Sequence, residues 1–477
     1  MTKEKKKSIL ITVCVILAVI LVLGLVVYNR LYDSGVILRA KTAVSSENFK
    51  VSGTMMAYFY NTQYQNFYSY FSYLGIQAGT SLKSQACSLL SNGGSWFDYF
   101  MATTESYVGN MLALCEAAKA NGVTLDDEDK AAIDANMDAL EATAKAYGYN
   151  TKTYLLMTMS NPVSAGDVRK CLELNALAQK YYNTYMDSLS YTDAQIEEYY
   201  NENASTFEGV DYYSYTLYST DFAEYDENEN PTSTSAENSA KAYEAAKTLA
   251  AATTASAFED ALRTLAAKEG TTDDSVDSAI ENAYHRHVLA SSIPTISDWA
   301  FSAKAGESMI DGEEGATTYT VYLLTKEPYR DEQKTRDIRH ILFQHDNHED
   351  SSAAEAAYAE WEAAGFTEEK FIEMVPQYSE DPGSVDNGGL YENVENGDMV
   401  TEFNDWLFDE SRKPGDHDLI EASSTGWHLM YYVGEGDKAA WQNTVESALK
   451  TADYDKMVES YAGGIQFNSS VYSQING

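Results

Sequence analysis

Two histidines, one aspartate and a pair of apolar residues have the types and spacing that could build a reaction centre. His340 and His428 lie inside strand-like runs, TRDIRHILF (Thr335–Phe343) and STGWHLMYYVG (Ser424–Gly434). Asp381 falls between them in the turn-rich YSEDPGSVDNGGLY (Tyr378–Tyr391), and Met399 and Phe403 fall in GDMVTEFNDWLF (Gly397–Phe408). Imidazole nitrogens donate and accept hydrogen bonds, so two such rings can fix the polar floor of a site. A carboxylate beside them can act through its field or a hydrogen bond on a group whose charge distribution is changing. Side chains at i and i+4 share a helix face, so Met399 and Phe403, with Leu390, can form an apolar seat. If the two strands are neighbours, the polar groups converge on that seat, with Ser423 and Thr425 as minor hydrogen-bonding members and Trp427 as a packing wall. Each residue also has a plainer reading: satisfied core histidines, core Met and Phe, and an Asp381 that caps the turn before Pro382-Gly383.

The order RHIL, a helical run, YS-x-D, NGG-L, G-x-MV-x-EF and a closing TGWH resembles the parvulin family of peptidyl-prolyl isomerases. The resemblance spans residues 335–434 of 477. It implies an isomerase domain over 331–436, with His340, Asp381 and His428 in the catalytic centre. Leu390, Met399, Phe403, Trp427, Ser423 and Thr425 would surround the substrate proline. Rotation about an ordinary peptide bond faces a barrier of about 18–20 kcal/mol from amide resonance. Catalysis therefore requires a grip on proline and fixed polar groups that favour the twisted amide over either planar form. It requires no cofactor and no metal. Two departures from the family pattern stand out. Gly388-Gly389 runs directly into Leu390-Tyr391, so the loop is short and Tyr391 replaces a small residue. The stretch His345, Asn347, His348, Glu349, Asp350 lacks the Lys/Arg cluster with which phosphate-directed members read their substrates, which points to a non-phosphorylated substrate. Its loose spacing reads as a solvated loop in preference to a metal site.

The rest of the chain must carry and supplement this centre. Its length sets a prior of about three folded units. A net charge of -40 with 44% hydrophobic residues excludes wholesale disorder and offers no basic footprint for nucleic acid. Lys3, Lys5, Lys6 and Lys7 precede the uncharged Ile9–Tyr28, long enough to span a bilayer, with the lysines favouring a cytoplasmic N-terminus. A cleaved signal peptide is the competing reading, but no short apolar core followed by a small-x-small site is evident. Residues 1–30 are thus expected to be a stub and anchor, with the bulk of the chain extracytoplasmic. Cys87, Cys115 and Cys171 cannot all pair within one chain and read as buried apolar side chains.

Residues 31–207 read as an all-helical unit rich in aromatics: Tyr64, Phe67, Tyr68 and Phe71, then Trp96, Phe97, Tyr99 and Phe100. Leu125–Tyr147 and Val163–Leu189 are helical, and Thr192 with Gln195 forms a capping box. In length, order and aromatic style this unit resembles the N-terminal chaperone part of secreted parvulin-containing foldases. Residues 208–330 contain an apparent internal repeat: Asp298-Trp299-Ala300-Phe301 matches Asp405-Trp406-Leu407-Phe408, and Ser214–Leu217 matches Arg339–Leu342. Tyr215 and Thr320 then stand in for the two histidines, so the unit would keep the parvulin-like packing without the centre. The alternative is an unrelated α+β insert sharing a packing phrase. Ala439–Tyr461, within a 437–477 tail, is an aromatic helix that needs a partner face and is expected to pack on the helical unit. The expected fold class is α+β. The expected function is a peptidyl-prolyl isomerase and chaperone acting on unfolded secreted or surface polypeptides containing X-Pro bonds. The alternative is a non-catalytic holdase or envelope scaffold.

Overall fold

Side-chain caps decide where most of the helices begin. In the computed structural model, which describes residues 30–477 apart from 32–33, 78, 92, 229 and 268–271, Ser95, Asp126, Ser164 and Thr192 each form a capping box with the residue three positions on. Each box satisfies two amides that the first helical turn leaves without a partner. The anchor expected at Ile9–Tyr28 lies outside the described residues. Among the described residues no helix is long and apolar enough to cross a membrane.

The chain divides into two compact units, one containing the described residues up to Ser190 together with Lys450–Gly477, the other Tyr191–Leu449. In the first, β1 (Thr42–Ser45) and β2 (Lys50–Ser52) lead into α1 (Gly53–Asn66), α2 (Trp96–Ala120), α3 (Asp127–Ala146), α4 (Thr151–Met159) and α5 (Ala165–Ser188). Its core is aromatic and sulfur-rich: Phe59, Tyr60, Trp96, Phe100, Met56 and Leu112 are all buried. Tyr454, Met457, Val458 and Tyr461 of the C-terminal helix pack against that core. The tail after Gly463, irregular by sequence, is held in place. Gln466–Phe467 pairs with β1, Val471, Tyr472 and Ile475 are buried, and Lys83 donates to the Ser473 and Ile475 carbonyls. The three described cysteines are buried and unpaired, and burial pushes the Cys115 thiol up to about 12.

The second unit opens with α6 (Asp193–Phe207). By sequence this helix closes the helical unit, but its Ile196, Tyr200 and Phe207 form a cluster with Ala439, Trp441 and Val445. Two four-stranded antiparallel sheets follow. The upstream sheet has the order β4 (Tyr284–Leu289), β3 (Gly209–Tyr218), β6 (Thr318–Tyr329), β5 (Ser308–Asp311). The downstream sheet has the order β8 (Leu390–Val394), β7 (Lys334–Gln344), β10 (Gly426–Ala439), β9 (His417–Ala422). Each sheet is covered by two helices on one face. In the downstream sheet these are α7 (Ser352–Ala363) and α8 (Glu368–Tyr378), which enclose Trp361, Phe371, Met374 and Val375 against Ile341, Phe343, Trp427 and Leu429. The other face receives a short helix, Thr401–Phe408, whose Phe403, Trp406 and Leu407 meet Ile338, Met430 and Tyr432. The resulting α+β architecture agrees with the class expected from the sequence.

The two sheets also share register. His340 pairs with Met430 and Leu342 with His428; upstream, Ser214 pairs with Tyr322 and Thr216 with Thr320. His340 N–H donates to Gly389 O, and Ser214 N–H donates to Ala283 O. A bulge in each edge strand carries a non-glycine residue at positive φ, Asn393 at 54° and His287 at 45°. The amide of each donates at 2.7 Å to an aspartate of the first strand, Asp337 and Asp211 respectively. This register replaces the sequence alignment at one point: Ser214, not Tyr215, stands where His340 stands. A slip of one residue in a strand moves a side chain to the other face, and Tyr215 packs with the helix-covered cluster that contains Tyr213 and Leu217.

Candidate active site

The β7–β10 pairing brings together two histidines that are 88 residues apart in sequence. Alternation along the strands puts Ile338, His340 and Leu342 of β7 on the same face as His428, Met430 and Tyr432 of β10. The imidazoles lie nearly parallel, at 16° and 5.4 Å between centroids, with Nδ1 to Nδ1 at 3.2 Å. Asp381 follows the end of α8 and places Oδ2 2.9 Å from His340 Nε2. His340 and His428 are 5% and 4% exposed, so water cannot substitute freely for these partners.

The donors and acceptors can be ordered. The hydrogen bond from His340 holds the Asp381 carboxyl well below the usual carboxylate range, assisted by Ser384 and the Gly383 amide and opposed by burial. An ionised carboxylate only accepts, so His340 Nε2 donates to it. Burial, reinforced by the neighbouring His340, pushes the His428 pKa down to about 3, so this ring is neutral at physiological pH. Thr425 Oγ1 lies 2.9 Å from His428 Nε2. With neutral rings the chain runs one way: Thr425 hydroxyl to His428 Nε2, His428 Nδ1–H to His340 Nδ1, His340 Nε2–H to Asp381. This network fixes both ring orientations and one carboxylate oxygen before any substrate arrives.

Phe403 supplies the apolar counterpart. Its ring meets both imidazoles edge-on, at 5.5 Å and 79° to His340 and at 5.4 Å and 87° to His428. Being 2% exposed, it is the floor of the site, while half-buried Met399 packs on the same cluster with Met430 and Ile420. The remaining sequence candidates separate. Leu390 pairs with Arg339, and Trp427 with Phe343, so both side chains lie on the helix-covered face, away from the histidines. Trp427 belongs to the cluster of Trp361 and Phe371. They are therefore not brought into the pocket, because their parity along the strand is opposite to that of His340 and His428. Ser423 is exposed and its amide donates to Glu402 at 3.1 Å, tying the β9–β10 turn to the short helix without reaching the imidazoles.

Two residues absent from the sequence candidates complete the centre. Ser384, 1% exposed, donates to Asp381 Oδ2 and lies 3.2 Å from His340 Nε2. Tyr391 Oη donates to the same carboxylate oxygen at 3.0 Å. The signal for Ser384 was its position three residues after Asp381 in a turn; for Tyr391 it was the bulky side chain where a small one is expected. Gly389, at φ 74°, keeps the turn against β7, since a Cβ there would lie 2.5 Å from the His340 carbonyl oxygen. His348 pairs with Glu380 at 3.2 Å and His345 approaches Glu421 at 3.9 Å. Among the described residues no cluster of His, Cys, Asp and Glu is arranged to hold a metal ion.

A fixed carboxylate and two oriented imidazoles around an aromatic floor can hold proline and polarise its amide, and nothing in the arrangement requires a nucleophile. Residues 340–434 match the Rotamase family, described as the PPIC-type PPIASE domain. No curated protein matches the chain. Among solved structures, a peptidylprolyl isomerase, PrsA, from Bacillus anthracis is 19% identical, covers 28% of this chain and 59% of its own, and has a TM-score of 0.19. PrsA from Bacillus cereus is 15% identical over 66% of this chain and 86% of its own, also at 0.19. A structure of the SurA-like chaperones PEB4 and Cj1289 of Campylobacter jejuni is 13% identical over 70% of this chain and 82% of its own, at 0.15. The chain thus spans less than two thirds of the Bacillus anthracis protein. The match places residues 340–434 in the parvulin family: they form a PPIC-type peptidyl-prolyl cis-trans isomerase domain.

Proposed function

We propose that this isomerase domain serves a membrane-anchored extracytoplasmic foldase acting on unfolded secreted or surface polypeptides with X-Pro bonds. The observation that carries the reading is the closed network Thr425–His428–His340–Asp381 above Phe403. In it Phe403 and Met399 seat the proline ring. The Asp381 field and the oriented imidazoles favour the twisted amide, whose carbonyl and nitrogen have lost their resonance. The uncharged Ile9–Tyr28 behind Lys3–Lys7 supports an anchor with a cytoplasmic N-terminus.

Residues 208–330 are a degenerate second parvulin-like unit in this reading. Support comes from the shared strand order, the matched bulges and the matched Asp211 and Asp337 bonds. Ser214 and Thr320 occupy the histidine positions, so the unit is a scaffold without the centre. The helical unit supplies the chaperone function. Its open groove of about 930 Å³ is lined by Tyr107, Met111, Ile133, Leu172 and Tyr182 and rimmed by asparagines. Such a surface can hold an apolar segment of an unfolded client while the isomerase domain works on its prolines.

The full chain is expected to suppress aggregation of a chemically unfolded client at stoichiometric concentration. In sealed inverted vesicles it is expected to be protected from added protease. A chain that leaves aggregation unchanged, or that is digested in such vesicles, contradicts the chaperone or the topology respectively. The persistence of the upstream fold without histidines favours a second reading, a holdase in which both sheets only bind. Absence of any acceleration of prolyl exchange by the folded chain would select it.

A further inference from the structure

We infer that Tyr391 is a positioning residue of the isomerase centre, holding the Asp381 carboxylate through its phenol. Tyr391 pairs with Ile338 in the edge strand, on the histidine face of the sheet, with its ring 5.3 Å from that of His340. Its hydroxyl donates to Asp381 Oδ2, the oxygen that also receives His340 Nε2 and Ser384. Oδ1 receives the Gly383 amide at 3.1 Å. Every group that faces the carboxylate is thereby engaged: His340 from β7, Gly383 and Ser384 from its own turn, and Tyr391 from β8. The carboxylate cannot turn without breaking several bonds at once.

The turn is shaped around the phenol. A Cβ on Gly383 would lie 2.5 Å from Tyr391 Oη, so a side chain at 383 and the phenol at its present place exclude one another. The upstream unit reports the same design independently. By register the residue equivalent to Tyr391 is His285, and its Nε2 lies 2.8 Å from Ser214 Oγ, the group at the His340 position. In both units this edge-strand side chain reaches inward and bonds the polar centre. Burial and the Asp381 charge raise the Tyr391 pKa, so the phenol stays protonated and remains a donor at physiological pH.

The inference rests on the proposed role of Asp381, and a double-mutant cycle on the full chain separates the two. Prolyl exchange of an Ala-Pro peptide is measured against pH for wild type, Y391F, D381A and the double variant. Y391F is expected to lower kcat/KM by about 2- to 10-fold, the equivalent of one ordinary hydrogen bond. Y391F should cause no further loss in the D381A background. An equal loss with and without Asp381 overturns the inference. If D381A matches wild type, the role of Asp381 fails and that of Tyr391 with it. If D381A is impaired and Y391F matches wild type, only the Tyr391 inference fails. A second measurement leaves Tyr391 in place. The phenol, followed by its Cζ resonance, should ionise at lower pH in D381A than in wild type, and an unchanged titration overturns the inference.

Discussion

Acidification should destabilise the isomerase sheet through His428, by an amount that its burial sets. In the unfolded chain a histidine titrates near about 6.5; in the fold His428 titrates at about 3, chiefly because it is buried among Phe403, His340 and Leu342. Because the folded pKa is the lower one, the unfolded state holds the extra proton between these values. Stability from this group is therefore complete above the unfolded pKa and is lost as pH falls toward the folded one. One extra proton gives a slope of about 1.4 kcal/mol per pH unit, so acidification from about pH 6 to about pH 4 should remove about 2 kcal/mol. His428→Leu takes away the ionisable group. It also leaves His340 Nδ1 without its donor, which lowers protection in the variant already at neutral pH. The assay is hydrogen exchange at the amides of Ile341, Leu342 and Phe343, corrected for intrinsic rates, in wild type and variant across that range. Contributions common to both cancel in the difference, leaving the His428 slope. Parallel loss of protection in the two proteins would refute the burial argument.

Asp381→Ala leaves the His340 Nε2–H, the Ser384 hydroxyl and the Tyr391 phenol without their shared acceptor. It should lower kcat/KM by about 10- to 100-fold while costing only about 1–2 kcal/mol of stability, because water can reach the vacated space; peptide exchange and denaturant unfolding measure the two. Trp427→Leu should destabilise by about 1–3 kcal/mol with KM unchanged, since the indole pairs across the strands with Phe343 and belongs to the buried cluster on the far face; a raised KM would return it to the pocket. Gly389→Ala should cost clearly more than Gly397→Ala in thermal unfolding. Both glycines have positive φ, worth about 1–2 kcal/mol against an L side chain, but only at Gly389 would the Cβ also strike the His340 carbonyl.

How much of this was legible depended on which residues carried local signals. His340, Asp381, His428, Met399 and Phe403 could be singled out because they stand in short motifs that resemble the parvulin family, and the fold gathers all five around one seat. Leu390 and Trp427 could not be placed correctly by the same means. Which face a strand residue takes depends on pairing register, and the short turn ending at Gly389, together with the bulge at Asn393, sets that register for β8. The same limit put Tyr215 where Ser214 stands. The roles of Ser384 and Tyr391 in the centre are visible only once the turn brings them onto Asp381. The capping box at Thr192 was local and readable, whereas the partner of the helix it starts, Trp441, lies far away in sequence.

In the proposed function, one of two like-folded sheets catalyses prolyl isomerisation and the other does not. The most direct test is the rate of cis-to-trans exchange of an Ala-Pro peptide with the full chain, beside the same chain carrying His340→Ala and Asp381→Ala together. The wild-type chain should accelerate exchange clearly and the double variant should return to the uncatalysed rate, because Ser214 and Thr320 offer no second centre. Wild-type acceleration that survives in the folded double variant would contradict that assignment, and no acceleration by the folded wild-type chain would contradict catalysis itself.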